Sequence, residues 1–318
     1  IVKGSAIYST SGYTVPTTTL TSTGSETKLL TCQYSGAVRN VGFTDDSKYN
    51  HQITRNGDVS LGTFSPFSLE DGYWSNYISP NSGLKFSNSS AFAFGTGAFT
   101  IEFWVFGGAD NDQDVILEGR SAVGGSFHIT YGGYSSTSNS LRYVPGSGST
   151  ITTGTDLIAD NTWHHCAIDR DASNNVTLYI DGVSKGTGTD STDYSTTTGT
   201  WSIGYSFTAS SNYSNAYYSN FRIVKGSNVY GGAFTPPTTP LTAVPNTQLL
   251  TCQSNKFIDN SSNGLTLTLV GTPKVQPFSP LAPTRSYSKD AVGGSAFFDG
   301  SGDDLTIPRS SDFAFGTG

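Results

Sequence analysis

Charge is what this chain lacks most. Asp, Glu, Lys and Arg together make up 13% of its 318 residues, roughly half the usual share, and glutamate occurs only four times. Met is absent. With helix formers so scarce, and no stretch keeping an apolar period of 3.6, a helical domain is excluded. No apolar run approaches the ~18 residues that cross a bilayer as a helix, so membrane insertion is not expected. Lys and Arg number 17 against 24 Asp and Glu, for a net charge of −7, which excludes the clustered basic surface that nucleic acid requires. Three cysteines cannot close a complete disulfide framework. Cys32 and Cys252 share the apolar context LLTCQ and read as buried thiols. Neither a signal peptide nor an initiator Met heads the chain, which fits a piece of a longer precursor.

What fills the gap is Gly, Ser, Thr, Asn and Tyr, with aromatics at 13%. That aromatic content is too high for disorder. Short strands, many turns and uncharged polar surfaces follow, and the fold class is all-β.

The chain also repeats itself. FAFGTG at residues 92–97 returns at 313–318, and after the first copy comes AFTIEFWVF, a strand pattern rich in aromatic and β-branched residues. IVKGS at 1–5 returns at 223–227, LLTCQ at 29–33 returns at 249–253, FSP at 64–66 returns at 278–280, and Leu84 answers Leu305. The spacing is about 220 residues, drifting by a few. Solenoid repeats run ~20–50 residues, so each copy should be a whole domain. We therefore expect three parts: 1–23, the last strand and exit segment of a preceding copy; 24–241, a complete domain; and 242–318, the start of a following one. Prolines at 236, 237 and 240 mark where sheet pairing ends, and consecutive domains should sit close together.

Within the complete copy, strand patterns lie at 84–86, 99–106, 114–118, 127–131, 141–144, 163–170, 176–180, 201–205 and 217–224. Asp181-Gly182 predicts a two-residue type I′ hairpin. Turn signals at such intervals suit a sandwich or barrel. In 99–106, period two puts Phe99, Ile101, Phe103 and Val105 on one face, fit for a core. Thr100, Glu102, Trp104 and Phe106 take the other, whose apolar pair needs cover from a loop, a neighbour or a ligand.

These residues carry a resemblance. WHHCAIDR (163–170) followed by VTLYIDG (176–182), FDGSGD (298–303), FAFGTGAFTIEFWV (92–105) and FRIVKG (221–226) together resemble laminin-G-like domains of the concanavalin A-like lectin/glucanase superfamily. The resemblance covers nearly the whole chain. It implies a two-sheet antiparallel jelly-roll sandwich, here tandemly repeated. In tandem the variety is similar to repeats in virion and tail-fibre proteins of marine bacteriophages and in large microbial surface adhesins.

Chemistry is thin. Glucanases of that superfamily set Glu-x-Asp-x-Glu on one strand, but Glu102 stands alone in its strand and Glu118 has no carboxylate two residues away. Gly182-Val183-Ser184-Lys185-Gly186 spells a nucleophile elbow, yet follows a hairpin turn. No catalysis is expected. His164 and His165, adjacent on a strand, point to opposite faces and cannot easily share an ion. Asp110, Asp112 and Asp114 alternate in a loop and offer oxygens to Ca²⁺, though Val115 and Ser121 break the EF-hand pattern. Asp299, Asp303 and Asp304 form another acidic set whose counterparts are Ile78, Ser82 and Gly83. For ligand binding the candidates are Tyr131, Tyr134, Tyr205, Tyr213 and Tyr217, whose rings can stack on sugars; paving of the surface and contact between domains compete with that reading. Asn88, Asn175, Asn212 and Asn260 begin N-x-Ser/Thr sequons.

The expected function is a non-catalytic repeat module of an extracellular fibre or phage appendage, structural and adhesive, with host-surface glycan as ligand and avidity from repetition. Its partners would be copies of itself, neighbouring repeats or cell-surface carbohydrate, at an extracellular or virion surface. Two alternatives stay open: a purely structural filament subunit held by interchain β contacts, and a carbohydrate-binding module of a larger secreted enzyme. No cofactor beyond Ca²⁺ is expected. If the Asp110–Asp112–Asp114 loop holds Ca²⁺, chelator lowers the melting temperature; an unchanged melting temperature excludes it.

Overall fold

The AFTIEFWVF pattern folds as read, into a strand, Phe99–Gly107, that lies in the middle of the larger of two sheets. The structure is a computed structural model. It describes the chain apart from residues 5, 9–11, 17–19, 33–44, 57–59, 63–71, 108–113, 124, 135–136, 155–157, 159–161, 207–212, 277, 282–294, 298–303, 309 and 315–318. For residues 55, 60–62, 133–134, 137–139 and 295–297 it describes the backbone alone.

The first strands are β1 (Thr54–Asn56), β2 (Ser60–Gly62), β3 (Ser75–Ile78), β4 (Gly83–Ser87), β5 (Phe99–Gly107) and β6 (Asp114–Glu118). Next come β7 (His128–Tyr134), β8 (Thr137–Val144), β9 (Ile151–Thr152), β10 (Trp163–Arg170), β11 (Asn175–Ile180) and β12 (Val183–Thr189). The last are β13 (Thr200–Ile203), β14 (Ala216–Lys225), β15 (Thr247–Thr251), β16 (Thr268–Val270), β17 (Lys274–Gln276), β18 (Ser295–Phe297) and β19 (Asp304–Thr306). Helix among the described residues is limited to one α turn, Arg120–Val123, and three 3-10 turns.

The contacts gather into two units: a continuous one, Glu70–Pro283, and a split one, Ile1–Leu69 with Thr284–Gly318. In the continuous unit the larger sheet runs β12-β11-β10-β5-β14-β3-β17, with β15 also on β14, and the other runs β16-β4-β13-β6-β7-β8-β9. Every pairing is antiparallel. The two sheets form the jelly-roll sandwich that the resemblance implied. The β11–β12 hairpin turns through Asp181 (φ 50°) and Gly182 (φ 78°), the two positive φ values of a type I′ turn.

Between the sheets, Phe99, Ile101, Phe103 and Val105 of β5 meet Ile129 and Tyr131 of β7, Tyr143 of β8 and Trp201 of β13 in one buried cluster. Phe103 stacks on Phe221 with centroids 5.2 Å apart. Trp201 meets Phe86, Phe92, Phe94 and Phe127, and its indole N–H donates to Asn88 Oδ1 at 3.0 Å. Asn88 Nδ2 in turn donates to the carbonyls of Ala122, Thr196 and Thr198. That buried amide is structural, which removes Asn88 as a glycan acceptor.

The FAFGTG turn before β5 is held by Arg170, fully buried at the end of β10. Its Nη2 donates to the carbonyls of Gly95 (2.8 Å) and Gly97 (2.6 Å), its Nε donates to Gly97 (2.9 Å), and Nη1 donates to Thr192 (3.0 Å). One side chain thereby ties the carbonyls of Gly95, Gly97 and Thr192 together.

The split unit repeats part of this layout. In the continuous unit β16 pairs β4 (Leu269↔Leu84) and β17 pairs β3 (Val275↔Asn76). In the split unit β1 pairs β19 (Arg55↔Leu305), the same register at the repeat spacing, and β2 pairs β18 (Leu61↔Ala296), one residue off that spacing. One side-chain network also recurs. Asp259 accepts from the backbone N–H groups of Leu250, Ser261 and Leu265 and from Ser261 Oγ. Asp45 accepts from those of Leu30, Ser47 and His51 and from Ser47 Oγ. Cys32 and Cys252, which follow these LLT segments, both take the rare left-handed conformation, φ 62° and 58°.

Phe103→Ala, which empties the centre of the core, should cost about 3–5 kcal/mol in denaturant unfolding, whereas Val183→Ala at an exposed position should stay within about 0.5 kcal/mol.

Candidate carbohydrate interface

The outer face of β5 carries Thr100, Glu102, Trp104 and Phe106, and it divides into a covered end and an open end. At the covered end the chain leaves β14 and doubles back over the sheet. Gly226 N–H donates to Ala98 O (2.7 Å), Val229 N–H to Thr100 Oγ1 (2.8 Å), Tyr230 and Gly231 N–H to Asp169 Oδ2 (both 3.0 Å), and Phe234 N–H to Gly182 O (2.9 Å). This strap runs so close that a Cβ on Gly182 would come 1.8 Å from Phe234 O.

Under the strap lies a charged knot. Arg222 donates to Glu102 Oε1 through Nε (2.8 Å) and Nη2 (2.6 Å), Tyr230 donates to Oε2 (2.5 Å), and His165 Nε2 stands 3.3 Å from Oε2. Burial works to raise the Glu102 carboxyl, but the His165 hydrogen bond, the Arg222 charge and the Tyr230 hydroxyl outweigh it and leave it below the ordinary glutamate range. Asp169 goes the other way: its burial exceeds the help of Thr100 and the strap amides, so its carboxyl is raised. Burial and the neighbouring Glu102 charge likewise raise the Tyr230 phenol.

At the open end, register assembles four aromatic side chains in a row across four strands. Tyr77 of β3 faces Tyr217 of β14, Tyr217 faces Phe106 of β5, and Phe106 faces Trp163 of β10. Their rings are 4.7, 5.9 and 5.6 Å apart in that order. Each is half-buried, and Phe278, which is exposed, touches Phe106, Trp163 and Tyr217. Lys274 of β17 lies opposite Tyr77 at one end of the row. Tyr77 O–H donates to Asn215 Oδ1 (2.9 Å). The indole N–H groups of Trp163 and of Trp104, one pleat inward, have no acceptor among the described residues.

Of the tyrosines nominated from sequence, Tyr217 belongs to this row. Tyr205 and Tyr213 lie together, stacked with centroids 6.0 Å apart, but Tyr205 is buried against Gly83, and its burial raises the phenol. Tyr131 is inside the core, under Gly107. The side chain of Tyr134 lies outside the described residues, as do Asp110 and Asp112. Asp114 is buried and accepts from Asn215 N–H at 3.4 Å. Among the described residues no group of three His, Cys, Asp or Glu could hold a metal. Tyr77, Trp163 and Phe278 were not nominated, and Phe106 was singled out only as half of an apolar pair needing cover. Each looks like ordinary strand or turn material in sequence, and only the strand register sets them side by side.

Residues 79–227 match a laminin G family model described as the concanavalin A-like lectin/glucanases superfamily. No curated protein shows significant sequence similarity to the chain. Among solved structures, the native heptameric SAP-like pentraxin of Limulus polyphemus is 12% identical, with a TM-score of 0.49 over 68% of this chain and 100% of that one. A candidate carbohydrate binding protein of Bacteroides ovatus ATCC 8483 is 14% identical, with a TM-score of 0.44 over 64% of this chain and 62% of that one. The receptor binding domain of a botulinum neurotoxin C/D mosaic serotype is 13% identical, with a TM-score of 0.36 over 65% and 48%. The chain thus spans less than two thirds of the length of the Bacteroides and neurotoxin structures. At these scores the likenesses carry nothing about ligand or partner.

Arg222→Met, which leaves Glu102 buried without its counter-charge, should cost about 3–5 kcal/mol. The Glu102 carboxyl is lowered on folding, so its contribution is complete above the unfolded value of about 4.3 and is lost as pH falls through the lower folded value. Without Arg222 the buried carboxylate loses the charge that helps to lower it. Acidification therefore costs the variant less than the parent, and the gap between their melting temperatures should narrow as pH falls from 7. Superimposable acid profiles would show that Arg222 does not hold the carboxylate.

Proposed function

We propose that the continuous unit is a non-catalytic, glycan-binding module, a repeated structural and adhesive element of an extracellular fibre or phage appendage. The observation that carries this reading is the aromatic row Tyr77–Tyr217–Phe106–Trp163 at the open end of the larger sheet. Half-exposed rings in a line suit the apolar C–H faces of sugar rings. The match of residues 79–227 to the concanavalin A-like lectin/glucanases superfamily supports it. That Glu102 has its oxygens engaged by Arg222 and Tyr230, beneath the strap, supports the absence of catalysis. Repetition is supported by the shared register and by the paired Asp45 and Asp259 networks.

A second reading, the structural filament, is favoured by the exposure of Ile7, Tyr8, Tyr13 and Val15. Tyr8 is the sequence counterpart of Tyr230, whose hydroxyl reaches Glu102 in the continuous unit. Such a segment suits cover by a neighbouring copy.

On a glycan array followed by calorimetry, Trp163→Ala and Tyr217→Ala should each weaken binding about tenfold, the equivalent of one lost ring contact of ~1.4 kcal/mol. Tyr213→Ala should leave binding unchanged. Undiminished binding by both row variants would remove the row as the site, and absence of binding by the parent would leave the filament.

A further inference from the structure

The split unit is assembled from two pieces of chain with the whole continuous unit between them. Every described contact that joins the pieces is non-covalent and spans that gap. Two three-residue ladders, β1 with β19 and β2 with β18, form the seam. Asn56 Nδ2 donates across it to Asp304 Oδ2 and Thr306 Oγ1, both at 2.8 Å. Lys3 Nζ donates to Ser311 O (3.1 Å), while Lys28 Nζ and His51 Nε2 stand 3.6 and 3.7 Å from the Asp312 carboxylate. The His51 ring lies 5.0 Å from that of Phe313.

From this we infer that the seam is an exchangeable junction, and that residues 1–62 of one molecule pair with residues 295–314 of a second copy, linking chains head to tail. Three observations support it. The seam's β1–β19 ladder uses the register by which β16 binds β4 within the continuous unit. It is short, and two-stranded ladders of this length are marginal on their own, so it can open without unfolding the sandwich. Its two sides are different surfaces, so exchange between copies closes a reciprocal dimer or ring where the geometry returns on itself and propagates as an open filament where it does not. Closure within one chain competes through an effective concentration set by the folded unit that joins the two pieces, and exchange therefore grows with protein concentration. The inference does not depend on glycan binding.

The test uses the full chain. Asn56 and Asp304 are directly opposite, at a Cα separation of about 4.5–5.5 Å expected of antiparallel partners, within disulfide reach. Asn56→Cys and Asp304→Cys are made as separate variants, confirmed to melt like the parent, mixed, equilibrated and mildly oxidised. Bridged peptides are then identified by mass spectrometry. The expected result is a 56–304 bridge between molecules whose yield rises with protein concentration. The doubly substituted chain should bridge to itself when dilute. Asn56→Cys mixed with Asn175→Cys, an exposed position on β11, sets the level of chance collision. A mixed 56–304 yield no higher than that control overturns exchange between copies. Failure of the doubly substituted chain to bridge at all overturns the seam itself.

Discussion

A single carboxylate in the middle of the larger sheet constrains everything around it. Glu102 sits on the outer face of β5, in the most heavily paired part of the sheet, and is withdrawn from solvent. A buried charge is tolerated only when it is neutralised and hydrogen-bonded from several directions. Arg222 supplies the charge from β14, His165 approaches from β10, and Tyr230 reaches down from the strap. The strap is thus part of the sheet's electrostatics and does more than connect one segment to the next. Because it must come down over Glu102, it covers that end of the face and leaves the Phe106 end open, where the aromatic row lies.

A second cation does the complementary work at the sandwich edge. Arg170 ends the strand that begins with Trp163, and its guanidinium gathers the carbonyls of the turn that launches β5, while resting 4.7 Å above the Phe99 ring. One strand therefore contributes an aromatic ring to the exposed row at one end and fastens the FAFGTG turn at the other. Few as the charges are, Asp45, Glu102, Asp169, Arg170, Arg222 and Asp259 are buried and multiply bonded.

How much of this could be read from sequence follows from how local each feature is. The alternation in 99–106 and the Asp181-Gly182 turn are determined by neighbouring residues, and both appear in the structure as read. The rhythm of strands and turns leaves a sandwich or a barrel open, and it is the resemblance that implies the two-sheet sandwich. The aromatic row could not be read, because Tyr77, Phe106, Trp163 and Tyr217 come from four distant segments whose adjacency is created by ladder register. Tyr131 shows the converse. Its Tyr-Gly-Gly-Tyr context resembles a binding loop, but the pleat of β7 turns it inward, into space that Gly107 leaves free. Apolar LLT reads as strand twice, and the 247–251 copy is one, while Lys28–Leu30 lies outside any named strand even though its hydrogen bonds to Asp45 match those made to Asp259.

All three thiols are unpaired. Burial raises those of Cys166 and Cys252, the latter to about 12, so neither is a ready nucleophile for exchange. Nothing in the sandwich therefore waits on an oxidant. Such a domain can finish folding in a reducing compartment as readily as in an oxidising one, which frees its maturation from any oxidative folding machinery.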